Sequence, residues 1–424
     1  MSMGAPAEPV GPDQVAEYAE EAALVWLQRA HAVHAPNVDP QQFHDLDERL
    51  AANLDGLATA GEAGREAAVQ SLANGSPEDF FAPAVLALTA TGHGDDGFDV
   101  LIAALKRSPE AIAGIVSALG WVASHCLAGR ASALLEAADA TRQRLGIAAC
   151  ALHRRDPGPL LGTLLGAPVG AVRARAARAV GELARLDLTP RLAELMGAGG
   201  PETGWWAARS RVLLGDRGEA LETLETLGSV AGPRRLDALR LALLAAGPAR
   251  GHALLQRLGR TPESMRLRVI GAGLVGDPRY VPWLIDAMAD PALARIACEA
   301  FVHITGADVN LDMLEALPPE GHDDGPSDDP EDDDVALPED VPLPWPDVSR
   351  VAAWWADRRS SLAPGARFFL GHPVTPGHCL HVLRSGLQLQ RVLAAHHRTL
   401  IAPGTVLFPT SSPAWRQRLL LQAM

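Results

Sequence analysis

Residues 275–306 spell out a complete helical hairpin, and the same plan stands 123 residues upstream, where Pro168 occupies the place of Pro291. Asp277 offers an N-cap, and Pro278 is a first-turn residue that needs no N–H donor. Val281, Leu284, Ile285 and Met288 then recur at helical spacing. Asp290 and Pro291 close that helix and open the next, in which Ile296, Ala300, Val302 and His303 keep the period until Gly306 ends it. The earlier copy reads Asp156, Pro157, Pro159, Leu160, Leu161, Pro168, Arg173, Ala176, Ala177, Val180 and Gly181. One such hairpin is too small to bury its own apolar faces, so it needs neighbours.

Those neighbours are marked by apolar runs ending at Gly120, Gly181, Gly215, Gly247, Gly276 and Gly306. After the wide first gap, where the Asp156 copy intervenes, the marks lie roughly 30 residues apart, the interval of a helical solenoid. The expected fold class is therefore all-α, an α-solenoid of helical hairpins. Residues 1–14, rich in Pro, Gly and Ala, read as disordered. Residues 15–92 read as a helical cap with Tyr18, Ala22, Val25 and Trp26 on one face. Residues 93–317 hold the repeats, 318–347 an acidic Pro-rich linker, and 348–424 a C-terminal helical module.

The Gly-Asp-Pro, Pro-x-Leu, Asp-Pro and Arg-x-Ala pattern of residues 276–297 resembles the HEAT-like repeats also found in phycobilin lyases, over about half of the chain. That resemblance implies a stacking ladder between an Asp in the turn and an Arg opening the second helix, here Asp290 and Arg295. Ala167 replaces the Asp in the earlier copy, which would break the ladder there. Residues 46–57, with Gly371, His372, Pro373, Val374 and residues 382–386, are similar to an uncharacterised bacterial HEAT-repeat family often encoded beside type VI secretion genes. The likeness implies a setting and carries no catalytic residues.

The chain's 48% hydrophobic content is enough for a large core, while its aromatic fraction of 4% implies close packing on Ala and Leu. Its net charge of −14 is local. Eleven acidic residues and no Lys or Arg lie in 320–340, leaving a nearly neutral body. Lys106 is the only Lys. Cys126, Cys150, Cys298 and Cys379 lack metal-ligand spacing and read as small core residues. With no signal-like N-terminus and no long apolar stretch, the expectation is a cytoplasmic protein without membrane insertion.

Candidate chemistry is sparse. His378 and His381 would share a helix face, but a structural zinc site needs four ligands and no second Cys lies near, so the histidines of residues 372–397, like His31 and His34, read as packing or surface residues. The acidic run 328–334 lacks the central Gly and terminal Glu of a calcium loop. Arg173, Arg175, Arg178 and Arg185 form the most basic helix. HEAT-like DNA glycosylases place basic residues on a concave surface, but here Glu182 stands at pairing distance from Arg178 and Arg185, so nucleic acid is not the expected partner. Trp205–Trp206 and Trp354–Trp355 stand out; adjacent helical positions point about 100° apart, so one ring of each pair can pack inward while the other approaches the surface, and filling repeat junctions is favoured over anchoring a partner.

No triad order, P-loop or dinucleotide fingerprint is present, and no cofactor or metal is expected. The sequence points to a non-catalytic scaffold or adaptor that binds another protein, in the type VI secretion setting the resemblance implies. The partner-binding candidates are Trp205, Trp206, Trp354, Trp355, Arg175, Arg178 and Arg185. The alternative is a lyase-like or nucleic-acid-processing protein on HEAT-like repeats.

Overall fold

The computed structural model describes residues 11–90, 96–259, 261–322 and 340–424. Among them the fold is all-α, with 22 α-helices and only two short antiparallel ribbons, Glu315–Ala316 with Trp345–Pro346 and Phe368–Phe369 with His372–Pro373. No single helix among the described residues is long and apolar enough to cross a membrane. Internal contacts divide the chain into two units. One holds residues up to His34, Val38–Ala207 and Val406–Met424; the other holds Ala35–Asn37 and Ala208–Thr405. This division cuts across the expected C-terminal module of residues 348–424, because residues 406–424 pack with the first unit.

In the first unit, helix Pro12–Ala32 starts on a proline at its first turn, so residues 12–14 are helical where disorder was expected. Helix Pro40–Thr59 is opened by a capping box between Asp39 and Gln42 and buries Phe43, Leu50, Leu54 and Leu57 against it. Ala22 and Val25 are buried, and Tyr18 and Trp26 pack partly against the same core, as the one-face pattern requires. Helix Pro77–Thr89 lies on helix Ile112–Trp121 so closely that a Cβ at Gly114 would sit 1.9 Å from the Pro77 carbonyl oxygen. Only glycine permits that approach. Pro83, inside the first of these helices, has no N–H for the Asp79 carbonyl; Ser71 Oγ stands 3.3 Å from that oxygen instead.

In the second unit the hairpin of residues 275–306 folds as its sequence reads. Asp277 Oδ1 accepts the Arg279 N–H and starts a short 3₁₀ turn, Pro278–Tyr280, that leads into helix Val281–Ala287. Helix Ala294–Thr305 follows and buries Ile296, Ala300 and His303. Gly276 and Gly306 both end helices in the left-handed conformation, at φ 70°. The other glycine marks act differently: Gly120 and Gly181 stay inside helices, and Gly247 is an extended N-cap. After helix Gly170–Glu182 the left-handed position falls to Ala184 at φ 57°, and after helix Ala140–Leu152 to Arg154 at φ 53°.

Asp290 Oδ1 accepts the Ala292 N–H, while the Arg295 guanidinium lies 4.7 Å from the Trp345 ring. In the earlier copy, Arg173 donates to the backbone carbonyls of Ala167 and Pro168. Of the expected linker, residues 340–347 are anchored: Asp340 takes a bidentate pair from Arg266 at 2.9 Å, and Trp345 is buried. Residues 323–339, including the acidic run 328–334, lie outside the described residues.

Candidate functional site

The first tryptophan pair splits as helical geometry requires, while Trp354 and Trp355 are both half-buried. Trp205 is buried; Trp206 is half-buried, donates from Nε1 to Glu202 at 2.8 Å and carries the Arg178 guanidinium 4.7 Å from its ring. Trp354 packs edge-on against Phe301 at 5.6 Å, and its Nε1 is buried with no hydrogen-bond partner among the described residues, the mark of a packing side chain. Trp355 is half-buried, as Trp354 is.

The arginine face is largely consumed internally. Glu182 is bonded by Arg178 at 2.8 Å and Arg175 at 3.1 Å. Arg185 does not join them; it reaches Asp156 at 2.6 Å and Asp187 at 2.7 Å. The expected Glu182–Arg185 pairing fails because Arg185 lies past the helix end, beyond the left-handed Ala184, which redirects the chain. Burial raises the cost of charging Glu182, but Arg178, Arg175 and Arg154 together hold its carboxyl well below the usual range. A face neutralised in this way offers little to a phosphate backbone.

Three histidines gather around one helix start. His378 Nε2 lies 2.8 Å from the Phe369 carbonyl oxygen, with the His372 and His381 rings 4.8 and 6.4 Å away, and burial lowers its pKa. No group of three His, Cys, Asp or Glu side chains among the described residues is placed to hold a metal ion. A network missed in the sequence joins fully buried Asp277 to His252 Nε2 at 3.1 Å, with His252 Nδ1 2.6 Å from the Tyr280 hydroxyl. Asp277 also accepts the backbone N–H of Arg279 and of Gly365, and burial raises the Tyr280 pKa. A carboxylate so fully used, beside a phenol made harder to ionise, fastens the turn and is poorly suited to generate a nucleophile.

Among the described residues, the most exposed large apolar side chains lie just after the last predicted hairpin. Leu311, Met313 and Leu317 are 83%, 72% and 88% exposed. Their segment is braced. Asp308 Oδ1 accepts the N–H groups of Asn310 and Leu311, and the Asp308 N–H returns to Asp312. Leu314 is buried and its carbonyl accepts the Asp347 N–H at 2.7 Å, next to the Glu315–Ala316 ribbon. Met313 is held at φ 54°, with Arg350 donating to its carbonyl at 3.2 Å. Each residue reads as an ordinary apolar position in sequence; the left-handed Met313 that turns the side chains outward has no sequence signal, since glycine usually marks such a site.

No protein-family model, curated protein or solved structure matches the chain. The HEAT-like resemblance therefore rests on its motif residues alone.

Proposed function

We propose that this protein is a non-catalytic scaffold or adaptor and that the braced turn carrying Leu311, Met313 and Leu317 contacts its protein partner. The observation that carries this reading is exposure on a rigid frame. Three large apolar side chains stand in water while hydrogen bonds from Asp308, Asp347 and Arg350 fix the backbone that presents them. Keeping such groups out of water is worth about 1.5–3 kcal/mol each, which a partner surface supplies on docking. The half-buried Trp355 and Trp206 are secondary anchors, and the arginine face, neutralised by Glu182, Asp156 and Asp187, favours a protein over a nucleic acid. Stacked HEAT-like hairpins would provide the frame, and the type VI secretion setting follows from the family resemblance.

The test places a photocrosslinking amino acid at Leu311 in the native host. A discrete crosslinked protein is expected, and Met313→Asp with Leu317→Asp should abolish it while changing stability by less than about 0.5 kcal/mol, the usual range at exposed positions. Absence of any crosslink would refute the docking role. A crosslinked protein unrelated to secretion would refute the setting while keeping the scaffold.

A further inference from the structure

A cavity of about 260 Å³ opens within the first unit, walled by Trp26 and Trp121, with Arg29, Arg178, Ser117 and Ser412 also in its lining. Small-molecule pockets usually run about 300–1,000 Å³, so this one suits a fragment-sized guest and is too small for a nucleotide cofactor.

Its polar groups are incompletely used; Arg29 and Ser412 are buried, while the Arg178 side chain is 43% exposed. Arg29 is 6% exposed; its Nε bonds Asp47 and its Nη2 donates to the Ser411 carbonyl at 3.1 Å, while its Nη1 makes no hydrogen bond among the described residues. Arg178 spends Nε on Glu182 and leaves both Nη groups without one. Ser412 is 4% exposed and its hydroxyl has no partner among the described residues. Ser117 Oγ accepts the Trp26 indole N–H at 2.8 Å, which fixes that ring as a wall and leaves the hydroxyl proton available.

The charge has one sign. No carboxylate lines the cavity. Around it, the guanidiniums of Arg29, Arg154, Arg175, Arg178 and Arg416 are balanced by Asp47 and Glu182, and Arg154 and Arg416 are committed to backbone carbonyls. Excess positive charge beside aromatic walls selects an anion with a flat apolar body.

We propose that this cavity binds a small aromatic carboxylate, its ring against Trp26 and Trp121 and its carboxylate on the unused N–H groups of Arg29 and Arg178 and the hydroxyl of Ser412. The site is independent of the exposed turn at Leu311 and stands whether or not that turn docks a partner. A planar two-oxygen anion matches guanidinium donors, and each charge-assisted bond is roughly twice as strong as a neutral one.

The full chain is titrated with 4-fluorophenylacetate and followed by fluorine NMR. A saturable shift with Kd below about 1 mM is expected, with 4-fluorophenylacetamide, the same ring without the charge, at least about tenfold weaker. Inorganic phosphate, an anion without a ring, should not displace the acid. Ala113 is exposed at the cavity wall, so Ala113→Trp should abolish binding with unchanged melting, and Arg178→Gln should weaken it about tenfold. The proposal is overturned if the amide binds as well as the acid, if phosphate competes on equal terms, if Ala113→Trp binds normally, or if no saturation is seen by about 10 mM, a concentration at which Kd would lie beyond useful recognition.

Discussion

In the second unit, residues 365–371 run across the C-terminal ends of three helices; in the first, residues 407–416 do the same for two. The Phe368, Leu370 and Gly371 N–H groups reach the carbonyls of Gly276, His303 and Ile304, while Arg367 alone serves Leu243, Leu244, Ala246 and Val275. In the first unit the Leu407 N–H reaches the Glu182 carbonyl, the Leu407 carbonyl accepts Arg154 Nε, and Arg416 serves Gly120, Trp121 and Val122. Both segments satisfy orphan carbonyls, and burial lowers the pKa of Arg367 and Arg416 alike to about 10. They differ in what lies beneath. The second unit's segment presses on left-handed glycines, whereas the first unit's helix ends turn on Arg154 and Ala184. Glycine is required where another backbone leaves no room for a Cβ; elsewhere the chain tolerates a strained ordinary residue.

Gly276→Ala should therefore cost most. Its Cβ would stand 2.2 Å from the Phe368 carbonyl oxygen, so left-handed strain is joined by displacement of the segment, together roughly 3–4 kcal/mol. Chemical denaturation measures it, and a cost below about 1 kcal/mol, that of the backbone conformation alone, would break the contrast. Arg367→Met comes next at about 3 kcal/mol, since four carbonyls lose their donor at about 1 kcal/mol each less some hydration. Arg416→Met, with three, should cost somewhat less. Hydrogen exchange should show helix Arg235–Ala245 opening in the first variant and helix Ile112–Trp121 in the second; uniform loosening in both would mean the two segments do not act locally.

The buried glutamates sharpen the contrast through pH. Glu182 has its pKa lowered by three arginines, so its stabilisation is present above about pH 4.5 and is lost in acid. Glu299 is raised to about 7 by burial, only partly offset by Arg240 and Arg266 and reinforced by Asp340. Its folded state holds the proton more tightly than the unfolded chain, so stability falls as pH rises through 7. Buried His303, lowered to about 4 beside it, acts oppositely but has finished titrating in both states by about pH 7.5. Between about pH 5 and 7 the wild type should lose about 2 kcal/mol relative to Glu299→Gln, a comparison in which His303 cancels, in melts recorded across that window. The smallest effect expected is a gain: Ala184→Gly should stabilise by about 0.5–1 kcal/mol by relieving the left-handed position.

The hairpin of residues 275–306 was legible because caps, period and stop are local, and Asp277, Leu284, Ile296 and Gly306 take the places their spacing assigns. The division of the Trp205–Trp206 pair was legible for the same reason. Arg367 and Arg416 were not, because their carbonyl partners lie 92 to 296 residues away and a lone arginine in sequence looks like surface charge. The Arg175–Arg178–Glu182 cluster was half legible: the helical i,i+4 pair was visible, but Arg154, delivered from the preceding hairpin, was not. Met313 was illegible because its outward turn comes from a backbone conformation that its residue type does not announce.

The pairing of Arg416 with the end of helix Ile112–Trp121 also sets a timetable. The helix leaves the ribosome 295 residues before the side chain that closes it, which at roughly 5–20 residues per second is a wait of about 15–60 s. Through that interval Ala208–Thr405 of the second unit are synthesised, while the carbonyls of Gly120, Trp121 and Val122 have only water, or a chaperone, to meet them. The first unit is begun first and completed last, so premature termination anywhere in the second unit leaves a nascent chain whose oldest helices still expose an unfinished end.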